Sequence, residues 1–167
     1  MRFKIIFVTL TLFVLLPQLV LAEQAIITEV VSANVIKLDD GRNIKLFGVE
    51  PQRPAKLKKF LENNVVGQAA ELEFEDNKID DQGNILGYVF LTDPEAMSGY
   101  PPSAGFVERY GQLVTFLNVF LVAEGFSDYK DDPILSKYNE LFGIALIEAK
   151  ANRMGIWAKK NPETQKK

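Results

Sequence analysis

Ile44-Lys45-Leu46-Phe47-Gly48-Val49-Glu50-Pro51-Gln52-Arg53-Pro54-Ala55-Lys56-Leu57-Lys58-Lys59-Phe60-Leu61 is the stretch on which the fold turns. Residues 44–49 read as a strand, with Gly48 at a bend or a close backbone approach. Pro51 and Pro54 stop it, because proline has no N–H to give to a ladder. Leu57, Phe60 and Leu61 then fall at i, i+3 and i+4, the spacing of one helical face, so 55–63 reads as a short amphipathic helix. A strand that runs through a brief corner into a helix is therefore the centre from which the rest is placed.

Upstream, 25–31 is rich in β-branched residues and reads as a strand, and 35–38 reads as another. Asp39-Asp40-Gly41 is a hairpin-turn signal, so three short strands follow one another as a meander. Downstream, Ala70-Glu71-Leu72-Glu73-Phe74-Glu75 alternates strictly, which predicts a strand with Ala70, Leu72 and Phe74 inward. Asp80-Asp81-Gln82-Gly83 turns the chain into a further strand at 85–91. Residues 92–111, rich in Pro and Gly, read as a loop that exposes Met97, Tyr100 and Phe106. A strand at 113–117 follows, then a short helix capped by Asn118 and ended by Gly125. Asp132-Pro133 predicts the start of a third helix, whose apolar stripe is Tyr138, Leu141, Phe142, Ala145 and Ala149. The order β-β-β-α-β-β-α-α predicts an α+β, mainly β domain: a five-stranded OB-type barrel with three helices.

The amino terminus has a different character. Met1-Arg2-Phe3-Lys4 is positive, residues 5–16 are apolar apart from Thr9 and Thr11, and Val20-Leu21-Ala22 places short residues before a cut after Ala22. This is the pattern of a secretory signal peptide, so 1–22 is expected to direct export to a periplasmic or secreted location. The alternative is an uncleaved anchor, since 5–22 reaches the lower edge of the roughly 17–25 residues that span a bilayer. Only in that case is a membrane a partner. The domain is placed at 25–158, and 159–167 is a charged tail.

Composition narrows the chemistry. There is no cysteine and no histidine, which removes thiolate nucleophiles, disulfides, the commonest general base and the commonest transition-metal ligand. Any metal would be a hard ion held by oxygen. Residues 23–167 carry 17 Lys and Arg against 22 Asp and Glu, a net charge of −5, which disfavours general nucleic-acid binding.

Several segments in order resemble staphylococcal-nuclease-like (thermonuclease) domains across about 25–158. They are Val31-Ser32-Ala33-Asn34-Val35-Ile36-Lys37-Leu38, Ile44-Lys45-Leu46-Phe47-Gly48-Val49-Glu50-Pro51, Gly83-Asn84-Ile85-Leu86-Gly87-Tyr88-Val89, Asn118-Val119-Phe120-Leu121-Val122-Ala123-Glu124-Gly125-Phe126, and the closing Glu148-Ala149-Lys150-Ala151-Asn152-Arg153-Met154-Gly155-Ile156-Trp157. The resemblance implies an OB barrel and a calcium-dependent nuclease. In such enzymes two aspartates hold Ca2+, two arginines hold the phosphate and a glutamate helps to activate water. Here Asn34 and Glu50 stand at the two metal positions, Lys45 and Asn84 at the two arginines, and Arg53 at the glutamate. One carboxylate, Glu50, is retained. Arg53 reverses the sign of the base position, and Lys45 lacks the guanidinium fork. Asp39 and Asp40 belong to the hairpin turn.

The expectation is therefore a vestigial site with no catalytic residue, no metal ligand and no cofactor, in an exported pseudoenzyme that serves as a non-catalytic binding module. Its partner would be an envelope or extracellular protein met through the 92–111 loop, with Tyr100 and Phe106 as contacts. The alternative is a divergent metal-dependent nuclease, for which Ca2+ would be needed. Residual single-strand binding would use the basic cluster Arg53, Lys56, Lys58 and Lys59, although lysines on a short helix ordinarily form a solvated face.

Overall fold

This computed structural model describes residues 23–93, 95–129 and 137–158, with the backbone alone at 75–78. The expected signal segment 1–22, the expected helix start at Asp132-Pro133 and the tail 159–167 lie outside the described residues.

The barrel is built from β1 (Glu23–Ser32), β2 (Val35–Leu38), β3 (Asn43–Leu46), β5 (Ala69–Ile79) and β6 (Ile85–Leu91), with the short β4 (Val49–Glu50) and α1 (Pro54–Asn64) between β3 and β5. Antiparallel pairs join β3 to β2, β2 to β1, β1 to β5 and β5 to β6. The ring closes where β3 meets β6 in parallel, with Ile44 beside Ile85, Lys45 beside Leu86 and Leu46 beside Gly87. Alternation along each strand fills the interior: Ile27, Ile36, Leu38, Ile44, Leu46, Leu72 and Leu91 are buried, and α1 covers it with Leu57, Phe60 and Leu61. The inward placement of Ala70, Leu72 and Phe74 holds, Phe74 being half-buried.

Beyond the barrel, β7 (Phe106–Arg109) and β8 (Gln112–Phe116) extend the sheet from β6. Then come α2 (Leu117–Ala123), β9 (Asp128–Tyr129), α3 (Asn139–Ala151) and a 3-10 turn at Gly155–Trp157. A second core lies against the outer face of β6, where Phe47, Tyr88, Phe90, Phe116, Val119 and Phe142 are buried. Every residue of α2 is buried because the helix sits between the two cores. Phe142, Ala145 and Ala149 turn the predicted α3 stripe inward. Among the described residues no helix is long and apolar enough to cross a membrane.

Three expectations need correction. The strand at 44–49 is broken in two. Gly48 has φ +76, and a Cβ there would lie 3.0 Å from the Phe142 ring, so α3 crosses at that bend and β4 leaves the barrel to pair with β9. Asn118 is not a cap. The N-cap position is Phe116, and Asn118 is fully buried: its Oδ1 accepts the Val89 N–H at 2.9 Å, and its Nδ2 donates to the Phe47 and Gly87 carbonyls at 3.0 Å each. The stretch 92–111 is not an open loop. Its end forms the β7–β8 hairpin, and Met97 is 2% exposed. Tyr100 is half-buried with its ring 5.1 Å from Phe120 and 6.0 Å from Phe60, and Phe106 lies 5.7 Å from Phe120. The apolar outer surface shared by α1 and α2 needs covering, and these aromatic rings cover it.

Candidate functional site

The Asp80-Asp81-Gln82-Gly83 turn places a carboxylate at the end of the β5–β6 hairpin. Asp80 Oδ1 accepts the Gln82 N–H at 3.0 Å and the Asn84 N–H at 2.9 Å, and the Asn84 side-chain amide reaches both carboxylate oxygens at 3.1 Å. Asn84 is 5% exposed. From the neighbouring strand of the parallel closure, Lys45 Nζ donates to Asp80 Oδ2 at 3.1 Å. Burial pushes the Asp80 carboxyl up, but the hydrogen bonds from Asn84, Lys45 and Gln82 outweigh it and hold it down to about 2. The two positions that the resemblance gives to phosphate-holding arginines thus converge on one carboxylate of the protein itself.

Asn34 sits in the β1–β2 turn and is half-buried. Its Nδ2 donates to the Val49 carbonyl at 3.2 Å, its Oδ1 accepts the Ser32 hydroxyl at 3.3 Å, and its own carbonyl accepts the Leu46 N–H at 2.8 Å. Asn34 therefore pins both sides of the β3–β4 bend. One residue beyond Val49, Glu50 is exposed and stands opposite Asp128 in the β4–β9 pair. Arg53 occupies the N-cap position of α1, where its carbonyl accepts the Lys56 and Leu57 N–H groups at 3.1 Å. Among the described residues no hydrogen bond or ion pair joins the Arg53 side chain to Glu50, and Glu50 has no such partner. Asp39 accepts the Ile26 N–H and Asp40 pairs with Arg42, so both are engaged at the hairpin end, as expected of turn residues.

Of the basic cluster, Lys58 Nζ donates to the Val31 carbonyl at 3.2 Å and lies 3.8 Å from Glu62. Lys56 and Lys59 are exposed. The sequence reading missed Asp80 as the centre of the site. The Asp-x-x-x-Asn spacing at 80–84 was the available signal, but the arrival of Lys45 depends on the parallel closure. Asp128 opposite Glu50 had no sequence signal, because the pair joins residues far apart in the chain.

A resident Ca2+ does not fit these residues. A hard divalent ion takes about 6–8 oxygens with several anionic donors. Here the Asn34 amide is turned to backbone and Ser32, and Glu50 is one carboxylate facing one other. Among the described residues no three acidic groups converge as a metal ion would require.

No curated protein matches the chain. The model of the staphylococcal nuclease homologue family matches residues 52–159, a span that includes Arg53 and Asn84 and begins just after Glu50.

Proposed function

The chain belongs to the staphylococcal nuclease homologue family, and we propose that it is an exported member that has given up phosphodiester hydrolysis and serves as a non-catalytic binding module. One observation carries the reading: Lys45 and Asn84 hold Asp80. A phosphoryl-transfer site needs fixed cations aimed at charge that develops on the substrate. Lys45 is the one cation left at those positions, and it is already neutralised by a carboxylate. A substrate phosphate would have to displace Asp80 and would meet its negative charge. Losing a single preorganised donor costs roughly 10²–10³ in rate, and here the base position is also reversed in sign. Partners of such a module would be envelope or extracellular proteins, with the aromatic residues of 92–111 shaping the surface from beneath rather than contacting a partner directly.

The test is digestion of single-stranded DNA and RNA by purified protein with calcium and with magnesium. No cleavage above a buffer control is expected. Cleavage that disappears in Glu50→Ala would overturn the proposal. It would favour a second reading, a divergent metal-dependent nuclease, for which the facing pair Glu50 and Asp128 is the supporting observation. Under that reading Asp128→Ala removes the activity too.

A further inference from the structure

Glu124 and Glu148 sit at or near the C-terminal ends of two helices, Glu124 as the C-cap residue of α2 and Glu148 in the last turn of α3. That end of a helix favours a cation, not a carboxylate. Glu124 is also 5% exposed. Burial pushes its pKa up, the Glu148 charge adds to this, and the nearby Ser103 hydroxyl opposes it. Three other half-buried carboxylates have a cation: Glu71 and Glu73 meet Arg109, and Asp80 meets Lys45. Among the described residues no Lys or Arg pairs with Glu124 or Glu148. Glu148 Oε2 accepts the Ala104 N–H at 3.0 Å, which fixes that side chain. The Ser103 hydroxyl lies beside Glu124, and its buried oxygen accepts from no donor among the described residues.

These unfinished groups line one cavity of about 260 Å³, walled on its apolar side by Pro101, Pro102, Ala123 and Met154. It shares no residue with the Lys45–Asp80–Asn84 cluster. The geometry points to a binding site for a primary alkylammonium group. The ammonium has three donors for Glu124, Glu148 and the Ser103 oxygen, and its aliphatic stem lies between the prolines and Met154. Two carboxylates among apolar walls are too few oxygens for a hard divalent ion, whereas a charged head on an apolar stem matches both halves of the cavity. The group can come from a lysine side chain of a protein partner or from a free alkylamine.

The test is a titration of the purified protein followed by the Met154 methyl resonance, with the Met97 methyl, buried elsewhere in the core, as internal control. The probes are n-butylammonium chloride, n-butanol, calcium chloride and a tripeptide with a central lysine. The expected result is a saturable Met154 shift with butylammonium, none with butanol, and affinity weakened about tenfold or more in Glu124→Gln, as loss of a charge-assisted partner predicts. Tighter binding of the tripeptide than of butylammonium assigns the site to a lysine side chain, and the reverse assigns it to a free amine. Absence of a saturable shift, equal effects of butanol and butylammonium, or tighter saturation by calcium would overturn the proposal. Glu148→Gln, which keeps an acceptor for Ala104, serves as the second variant, and thermal melting confirms that each variant folds. Unchanged butylammonium affinity in both folded variants would also overturn it.

Discussion

The Asp80 carboxylate collects donors from a turn backbone, from Asn84 and from Lys45 on another strand. Because its folded pKa, about 2, lies below the roughly 3.9 of an unfolded aspartate, the ionised form favours folding. The sign follows by linkage: the contribution is full above about pH 4 and is lost as pH falls towards 2. Asp80→Asn should lower stability by about 1 kcal/mol at neutral pH, a modest value because Lys45 is well exposed and water screens its share. Urea denaturation at stepped pH should show wild type and variant converging near pH 2, and a gap that stays constant with pH would refute the assignment. Asn118 offers the contrasting case of a neutral buried group. Asn118→Leu leaves the Val89 N–H and the Phe47 carbonyl unpaired in the interior, while the Gly87 carbonyl keeps the Phe47 N–H, and each such loss costs about 1–3 kcal/mol. A destabilisation of about 3 kcal/mol or more is expected in the same denaturation assay. As a residue type, asparagine beside a helix start reads as a cap. Its true role was illegible because it depends on which way the residue faces between two cores.

At the scale of elements, the ends of α2 and α3 are locked by a glycine contact. The Phe126 N–H bonds to the Leu121 carbonyl at 2.9 Å and the Gly125 N–H to the Val122 carbonyl at 3.0 Å, a Schellman arrangement at the glycine expected to end the helix. The Ile156 N–H then reaches the Gly125 carbonyl at 2.8 Å. A Cβ on Gly155 would lie 2.1 Å from that carbonyl oxygen, and φ there is +48. Gly155→Ala should therefore cost about 3 kcal/mol, well above the roughly 1 kcal/mol of an unfavourable helix-end conformation alone, because backbone must move. A loss near 1 kcal/mol in chemical denaturation would show that the ends of the two helices separate freely. The β7–β8 hairpin carries a second lesson. The period-two alternation at 70–75 identified the inward residues, and it placed Glu71 and Glu73 on what looked like a solvent face. The hairpin covers that face. Arg109 lies 3.4 Å from Glu71, 2.7 Å from Glu73 and 3.9 Å from the centre of the Phe90 ring. The strand at 106–109 was hidden by the density of Pro and Gly before it, and its partner is needed to recognise it. Arg109→Met leaves Glu71 under the hairpin without its cation, while Glu73 keeps Lys137 and the Tyr138 hydroxyl, so a loss of about 3 kcal/mol is expected. Glu71→Gln in the same background should return part of it, which a double-mutant cycle measures.

Across the whole molecule, the closed barrel was legible because turn signals bound its strands, 70–75 alternates strictly and the helix after the third strand orders them. The outer core was not, since Phe47 comes from the β3–β4 turn, Tyr88 and Phe90 from β6 and Phe142 from α3, and their outward faces meet only after the barrel has closed. The same distance in sequence hid the Asp80 cluster, while the loss of the expected acids and arginines was visible residue by residue. Charge acts at this scale too. Residues 23–167 are net negative by five, so an approaching nucleic acid is repelled by the field of the domain as a whole. Against that field the α1 face offers Arg53, Lys56 and Lys59 exposed, while Lys58 is engaged with Val31 and Glu62. Three phosphate contacts on a single strand correspond to a slope of log affinity against log salt of about −2, at roughly −0.7 for each. Stacking offers little to add, because Tyr100 and Phe106 are turned into the core. Titration of a labelled single-stranded oligonucleotide should therefore give weak binding at low salt that disappears near physiological salt, with that shallow slope. Binding that survives physiological salt and falls in Lys56→Glu with Lys59→Glu would mean that the local basic face outweighs the acidic whole, and that nucleic acid is the partner of the module.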